Sequence, residues 1–186
     1  MSKLQRIGWP VPESARNLLQ SVWEEVAPEL TRLIGAMGFV RDRREDLLQD
    51  VYLAAWKNGP GDADAMQLRR WLFRVTVNRC NLEHRRTNRW QDIWRVLVSG
   101  WLRPASAGSN SVASHKDEER EYVHRALAKL KPQARSLLVL RYFMELDSTE
   151  IGTILGESDS TVRGQLREAR KRLAWELKQV GWRYDE

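Results

Sequence analysis

Residues 147–173, DSTEIGTILGESDSTVRGQLREARKRL, contain clear start and stop signals of helices. Asp147 is followed three residues later by Glu150, which is the pattern of a capping box at the start of a helix. Gly156 comes directly after the apolar positions of this helix and predicts a left-handed residue that ends it. The stretch therefore predicts two short helices that are joined by a tight turn.

The second of these helices has an apolar face and a basic face, with Ser158 or Asp159 as its N-cap. Its apolar positions recur at helical spacing: Val162, Leu166, Ala169 and Leu173. Its cations fall largely on another side: Arg163, Arg167, Arg170 and Lys171. A helix-turn-helix that reads the major groove needs this division, because apolar residues seat the helix while cations and polar groups meet DNA. An ordinary amphipathic hairpin with a solvated basic face is the alternative.

The charge and composition favour an acidic partner. The net charge of +6 and the isoelectric point near 9.8 suit nucleic acid, although an anionic membrane surface also fits. The chain has neither an apolar run of membrane-spanning length nor a secretory pattern, which predicts a soluble cytoplasmic protein without membrane insertion. Cys80 is the only cysteine, and His84, His115 and His124 show no metal-ligand spacing with it. We therefore expect neither metal nor cofactor.

The whole chain is predicted to be all-α, because its apolar residues recur at intervals of three and four. Residues 1–12 carry Gly8, Pro10 and Pro12, which predict a loose lead. Pro28 predicts a kink or a break in the first helix. The N-terminal part is predicted to hold helices at residues 13–37, 43–57 and 66–88.

Two of these helices have polar faces that can bind partners. The second helix exposes Asp46, Gln49 and Asp50, a face that could equally well be only solvated. The third helix interleaves many arginines with Trp71, Phe73, Asn78 and Asn81. That mixture suits single-stranded or melted nucleic acid, where bases stack and phosphates need cations. A solvated basic helix is the alternative.

A boundary is predicted between the two parts of the chain. The tryptophan-rich segment QDIWRVLVSGWLRP occupies residues 91–104 and runs into PASAGSNSVAS, which has the composition of a linker. We therefore predict two small helical domains joined by a flexible linker. In the second domain, a helix over residues 116–130 is followed by one that restarts at Pro132. Its small core is predicted to include Leu137, Leu138, Leu140, Tyr142 and Phe143.

Two sequence blocks in this order resemble the extracytoplasmic-function sigma factors of the sigma-70 family. EDLLQDVYLAAW, followed by WLFRVTVNR fifteen residues after Trp56, resembles region two. LKPQARSLLVLRYFMELDSTEIGTILGESDSTVRGQLREARKRL resembles region four. The resemblance implies a lead over residues 1–12, region two over 13–90, a linker over 91–115 and region four over 116–180.

The resemblance also implies roles for individual residues. Binding to the clamp helices of the polymerase largest subunit is expected of Asp46, Gln49, Asp50 and Trp56. Capture of the melted minus-ten element is expected of Arg74, Asn78, Arg79 and Asn81. Binding to the minus-35 element is expected of Ser160, Arg163, Gln165, Arg167, Glu168, Arg170 and Lys171. The implied partners are core RNA polymerase, including its β flap, promoter DNA and an anti-sigma factor that could hold the chain at the membrane.

Some positions depart from the pattern of that family. Glu168 stands where the family usually has a basic residue, and its carboxylate would repel phosphate unless it accepts a hydrogen bond from cytosine. Trp94 and Trp101 make the segment before the linker bulky, which predicts that it holds the domains in an inactive arrangement or engages an anti-sigma protein. The leading hypothesis is a promoter-specificity subunit without catalytic activity. A stand-alone helix-turn-helix regulator and an adaptor that has lost DNA recognition are the alternatives.

Overall fold

The computed structural model describes residues 13–86 and 122–181. Helices dominate both ranges and neither range contains a strand, so the predicted all-α fold is confirmed for the described residues. The predicted lead over residues 1–12 and the tryptophan-rich segment and linker over residues 91–115 lie outside them.

The N-terminal bundle, residues 13–86, consists of α1 (Glu13–Ala36), α2 (Arg41–Asn58) and α3 (Ala65–Arg86). α1 packs against both α2 and α3, and Val26, Leu30 and Leu33 have no exposed surface. Pro28 lies inside α1 without ending it, so the predicted break does not occur. Gly38 adopts a φ of 97°, a left-handed conformation that glycine tolerates, just after α1 ends.

Ion pairs connect the three helices of this bundle and use part of the positive charge of α3. Arg69 of α3 lies 2.7 Å from a carboxylate oxygen of Glu29 in α1. Arg43 of α2 lies 2.6 Å from a carboxylate oxygen of Glu83 in α3. Because each pair joins two helices, these arginines stabilise the packing as well as adding charge to the surface.

The C-terminal bundle, residues 122–181, begins with helix α4, which spans 122–129 within the described residues. α5 (Pro132–Leu138) continues into a π-helical turn (Val139–Phe143), and α6 (Ser148–Leu155) and α7 (Asp159–Gln179) follow. Pro132 occupies the start of α5, as the sequence predicts. α7 packs against both α5 and α6, so it is the central helix of this bundle.

The π-helical turn alters which residues reach the core. Leu137, Leu138 and Leu140 are buried as predicted, but Tyr142 and Phe143 are 59% and 47% exposed, so their prediction as core residues is wrong. A π-helical turn inserts an extra residue per hydrogen-bonded ring and shifts the residues after it relative to an α-helical face. This change of register carries the two aromatic rings to the surface.

The two bundles pack against each other through α3. α3 contacts α5 and α6, and the π-helical turn contacts α1. Most of the buried apolar residues of both bundles belong to one continuous cluster, which extends from Leu19 to Ala169. This junction brings residues expected to bind the minus-ten element close to the helix-turn-helix.

Candidate nucleic-acid interface

The helix-turn-helix forms as the sequence predicts. The Asp147 side chain accepts a hydrogen bond from the Glu150 amide at 2.8 Å, and the Glu150 side chain accepts one from the Asp147 amide at 2.8 Å. Gly156 ends α6 in the left-handed conformation with a φ of 76°. Of the two possible N-caps of α7, Ser158 is the one observed, and it accepts a hydrogen bond from the Thr161 amide at 3.1 Å.

α7 divides into the predicted buried and exposed faces. Val162, Leu166 and Ala169 are buried, and Leu173 is half-buried. The cations of the other face are all exposed: Arg163, Arg167, Arg170 and Lys171. Arg163 lies 2.7 Å from Asp159, one turn earlier on the same helix. Such an exposed pair contributes little to stability, so phosphate oxygens can replace the carboxylate at low cost.

Glu168 lies within this basic face and is surrounded by its cations. The Lys171 ammonium donates a hydrogen bond to the Glu168 carboxylate at 3.0 Å, and the Arg167 guanidinium lies 3.9 Å from the same oxygen. All three side chains are exposed. The carboxylate therefore offsets part of the positive charge that its neighbours would present to DNA.

Two other residues expected at the minus-35 element hydrogen-bond within the turn and the start of α7. The Gln165 amide nitrogen donates to the Glu157 carboxylate at 2.7 Å. The Gln165 side-chain oxygen is buried and has no hydrogen-bond partner among the described residues. The Ser160 hydroxyl lies 2.9 Å from that of Ser158. Glu157 thus fixes the orientation of the Gln165 side chain.

Arg74 and Asn81, both expected at the minus-ten element, contact the C-terminal bundle. The Arg74 guanidinium donates to the main-chain carbonyls of Ile154 at 2.6 Å and Thr153 at 3.2 Å. The Ser136 hydroxyl donates to the Asn81 side-chain oxygen at 2.8 Å. These contacts join residues that are 55 to 80 positions apart, so local sequence patterns do not indicate them.

Asn78 and Arg79, the other two residues expected at the minus-ten element, are exposed on α3. The Arg79 guanidinium lies 3.8 Å from the Asp50 carboxylate of α2. Asn78 and Asn81 line a cavity of about 340 Å³ between α3 and the C-terminal bundle, together with Glu157. The structure thus brings three of the four expected minus-ten residues to one junction.

The acidic face of α2 is exposed as predicted. Asp46, Gln49 and Asp50 are exposed, and Trp56 is 39% exposed on the same helix. Arg43 donates a hydrogen bond to the Asp46 carboxylate at 3.1 Å. Hydrogen bonds to the carboxylates of Glu83 and Asp46 raise the pKa of the Arg43 guanidinium, with burial opposing them. The face therefore offers carboxylates, an amide and an indole ring to a partner.

Arg135 is a buried residue that the sequence patterns do not single out. Its side chain is 1% exposed and donates to the carbonyls of Leu127, Ala128 and Leu130 at 2.9 to 3.0 Å. Burial lowers the pKa of its guanidinium to about 9. Carbonyls at a helix end lack partners within the helix, so Arg135 stabilises the end of α4 and its connection to α5.

His84 of α3 is buried close enough to Arg135 for the charge of that arginine to act on it. Its ring stacks on Phe39 with 4.2 Å between ring centroids, and its Nε2 lies 3.0 Å from the Met37 carbonyl. A carbonyl can only accept, so Nε2 carries the proton and donates. Burial and, to a smaller extent, the positive charge of Arg135 together lower the pKa of the His84 imidazole to about 2, against the opposing effect of the hydrogen bond with the Met37 carbonyl. His84 is therefore neutral at physiological pH.

Within residues 13–86 and 122–181, no helix is long and apolar enough to cross a membrane. The same two ranges contain no group of three or more His, Cys, Asp and Glu side chains that could hold a metal ion.

Comparisons with known proteins agree with this arrangement of helices. Residues 120–173 match a family model described as sigma-70, region 4. The sigma factor SigG of Mycobacterium tuberculosis is 31% identical in an alignment of 150 residues that covers 69% of this chain and 40% of SigG. This chain therefore spans about 40% of the length of SigG.

A second relative is matched over most of its length. The RNA polymerase sigma-E factor of Streptomyces avermitilis is 30% identical over 133 residues, which are 72% of this chain and 70% of that protein. The chain thus belongs to the RNA polymerase sigma factors of the sigma-70 family. Within that family it falls in the extracytoplasmic-function class, as the sequence resemblance predicts.

Two solved structures share the fold. The sigma factor RpoE from Bartonella quintana, in complex with the anti-sigma factor NepR, superposes with a TM-score of 0.55 at 22% identity, covering 86% of this chain and 96% of RpoE. CnrH, in complex with the cytosolic domain of CnrY, also gives a TM-score of 0.55 at 22% identity, covering 87% of this chain and 88% of CnrH. At this level of identity the likeness concerns the fold alone.

Proposed function

We propose that the chain binds core RNA polymerase and directs the recognition and melting of promoters for transcription initiation. The observation that carries this proposal is the presence of two different binding faces on one chain. α7 exposes a basic reading face, and α2 exposes the acidic and amide side chains of Asp46, Gln49 and Asp50. A stand-alone DNA-binding regulator would need only the first face.

In this proposal the N-terminal bundle is region two. Asp46, Gln49, Asp50 and Trp56 bind the clamp helices of the largest polymerase subunit through their exposed acidic, amide and aromatic groups. Once the duplex opens, minus-ten bases and phosphates are held by side chains of α3: Arg74, Asn78, Arg79 and Asn81. Their guanidinium and amide groups suit single-stranded DNA, in which base edges are accessible.

The C-terminal bundle is region four in the same proposal. α7 enters the major groove at the minus-35 element, and its contacts come from Ser160, Arg163, Gln165, Arg167, Glu168, Arg170 and Lys171. Glu168 accepts a hydrogen bond from a cytosine amino group, as its carboxylate permits. Another surface of the same bundle meets the β flap of polymerase.

We further propose a cytoplasmic protein that an anti-sigma factor controls, and that such a factor can hold at the membrane. The support comes from the structural relatives, because RpoE and CnrH were each solved with a protein partner. The chain supplies specificity to polymerase and catalyses no reaction itself.

A pull-down with core polymerase in the absence of DNA tests the proposal. The full chain should retain core polymerase, and the double variant Asp46→Asn, Gln49→Ala should retain at least fivefold less. Glu25→Gln is the matched control, because it removes an exposed carboxylate from α1 instead of α2. Binding to duplex DNA without any retention of polymerase would contradict the proposal and indicate a stand-alone regulator.

A further inference from the structure

Arg74 joins the two bundles by donating hydrogen bonds to the C-terminal end of α6, where a positive charge is favourable. The last carbonyls of a helix lack partners within it and carry the negative end of the helix dipole. In α6, the Gly152 carbonyl accepts from the amides of Gly156 at 2.7 Å and Glu157 at 2.9 Å. The next two carbonyls, of Thr153 and Ile154, accept from the Arg74 guanidinium instead. Arg74 therefore caps the C-terminus of the first helix of the helix-turn-helix.

The turn of the helix-turn-helix leaves little free space around this contact. A Cβ atom placed on Gly156 would lie 2.8 Å from a terminal nitrogen of Arg74, which is closer than such atoms approach. The guanidinium thus packs directly against the turn between α6 and α7. A second contact, from Ser136 to Asn81, lies two turns further along α3.

The face of α3 that makes these contacts is the face expected to hold promoter DNA. Arg74, Asn78 and Asn81 follow one another at spacings of four and three, so they share one side of the helix. The C-terminal bundle hydrogen-bonds Arg74 and Asn81, and Asn78 lines the cavity at the same junction. Single-stranded DNA cannot occupy this face until the C-terminal bundle moves away.

We propose that this packing is a self-inhibited state in which Arg74, bound to the end of α6, closes the minus-ten site with the chain's own helix-turn-helix. The contact between Arg74 and α6 is independent of the proposed function. Its role as an inhibitory contact rests on that function. Opening exposes the carbonyls of Thr153 and Ile154 to water and frees Arg74 for phosphate. Polymerase or promoter DNA shifts the chain to the open state by binding it more tightly than the closed one.

Thr153 permits a test that leaves Arg74 and the reading face unchanged. Its side chain is exposed and lines a cavity with Arg70, Arg74 and Asp62, so two positive charges and one negative charge already face this space. Thr153→Arg adds a third positive charge there and should favour the open state. Thr153→Glu adds a carboxylate beside the same arginines and should favour the closed state. Thr149→Arg is the matched control, because Thr149 is exposed one turn earlier on α6 and does not line that cavity.

The readout is the distance between the bundles in the full chain, measured by fluorescence energy transfer between dyes on Ser21→Cys in α1 and Ala174→Cys in α7. Both positions are exposed. Cys80 can be retained, because it is fully buried and burial raises the pKa of its thiol. We expect a mainly short distance in the parent and about a tenfold larger open-to-closed ratio for Thr153→Arg, because the added guanidinium repels those of Arg70 and Arg74 in the closed state.

Two further variants test the second contact between the bundles and the control position on α6. Ser136→Ala removes the second contact and should open the chain by a smaller factor, while Thr149→Arg should match the parent. Identical distance distributions for Thr153→Arg, Thr153→Glu and the parent would overturn the proposal, whatever the chain does with polymerase. A distance change for Thr153→Arg in a chain that never binds polymerase would support the closed contact and refute the proposed function instead.

Discussion

Arginine serves different purposes in two regions of this molecule. On the reading face of α7, arginine side chains are exposed, and Arg163 pairs with a carboxylate beside it that DNA can replace. Arg74, at the junction of the bundles, and Arg135, inside the C-terminal bundle, donate to main-chain carbonyls instead. The first arrangement leaves positive charge available to a partner, and the second uses it to hold helices in place. A basic sequence therefore does not by itself locate a DNA-binding surface.

The largest effect is expected when Arg135 is replaced. Its loss should lower stability, as expected for an arginine that holds the fold together and not for one that binds DNA. Arg135→Met should lower the free energy of unfolding by about 3 kcal/mol, because three carbonyls, one buried and two part-buried, lose their donor. Urea denaturation measures this loss. Arg141→Met is the control, since Arg141 is exposed and donates to one carbonyl, and it should cost less than about 1 kcal/mol. Equal losses for both variants would contradict the structural role of Arg135.

A smaller effect, on DNA rather than on stability, is expected for Arg163. Arg163→Ala should weaken binding to a minus-35 duplex chosen by in vitro selection by about 1.5 kcal/mol, roughly tenfold, and should make binding less salt-dependent. Fluorescence anisotropy at several salt concentrations measures both. Arg32→Ala on α1 removes an exposed arginine far from the reading face in sequence and should change neither. An unaltered salt dependence for Arg163→Ala would argue against a phosphate contact.

The buried His84, whose pKa is lowered by burial and by the charge of Arg135, predicts how pH changes the stability of the fold. His84 titrates near pH 6.5 when unfolded, but its folded pKa is about 2, so the unfolded state binds the extra proton between these values. The contribution of neutral His84 to the free energy of unfolding is fully present above pH 6.5. As the pH falls, this contribution declines, by about 1 kcal/mol between pH 7 and pH 5.5.

Urea denaturation of the parent and of His84→Gln at both pH values checks this prediction. The variant keeps a polar group at the position but cannot take up the proton. The parent should therefore lose about 1 kcal/mol more than the variant on acidification. The same loss in both proteins would mean that His84 does not contribute to the pH dependence of stability.

The smallest change in affinity is expected for Glu168, which adjoins the cations of the reading face. Glu168→Arg should change the preferred base at one position of the minus-35 element, while changing affinity for the best sequence by less than about 1 kcal/mol. In vitro selection with the parent, Glu168→Arg and the neutral control Glu168→Gln compares their preferences. A uniform gain across all sequences would show that Glu168 reads no base.

The sequence predicts those parts of the structure that depend on neighbouring residues. The capping box of Asp147 and Glu150 and the left-handed Gly156 are local features, and the structure confirms both. The register of α5 is not predicted, because a π-helical turn moves Tyr142 and Phe143 to the surface. Helical periodicity assumes one regular spacing, so it cannot indicate where an extra residue is inserted.

Contacts between the bundles are the other part that the sequence does not predict. Arg74 and the carbonyl of Ile154 are 80 positions apart, and a main-chain carbonyl carries no residue-specific signal. Arg135 resembles any other arginine in a basic chain until its three acceptors are known. The residue types at the candidate site follow from sequence, whereas their availability to DNA depends on this packing.

In vitro transcription measures whether the chain directs polymerase to promoters. Core polymerase, the purified chain and sheared genomic DNA from the source cells are combined, and the 5′ ends of the transcripts are sequenced. We expect start sites that require the chain, share a minus-35 and a minus-ten element, and disappear with the Asp46→Asn, Gln49→Ala variant. Transcripts with the same start sites in the presence and absence of the chain would contradict the proposed function.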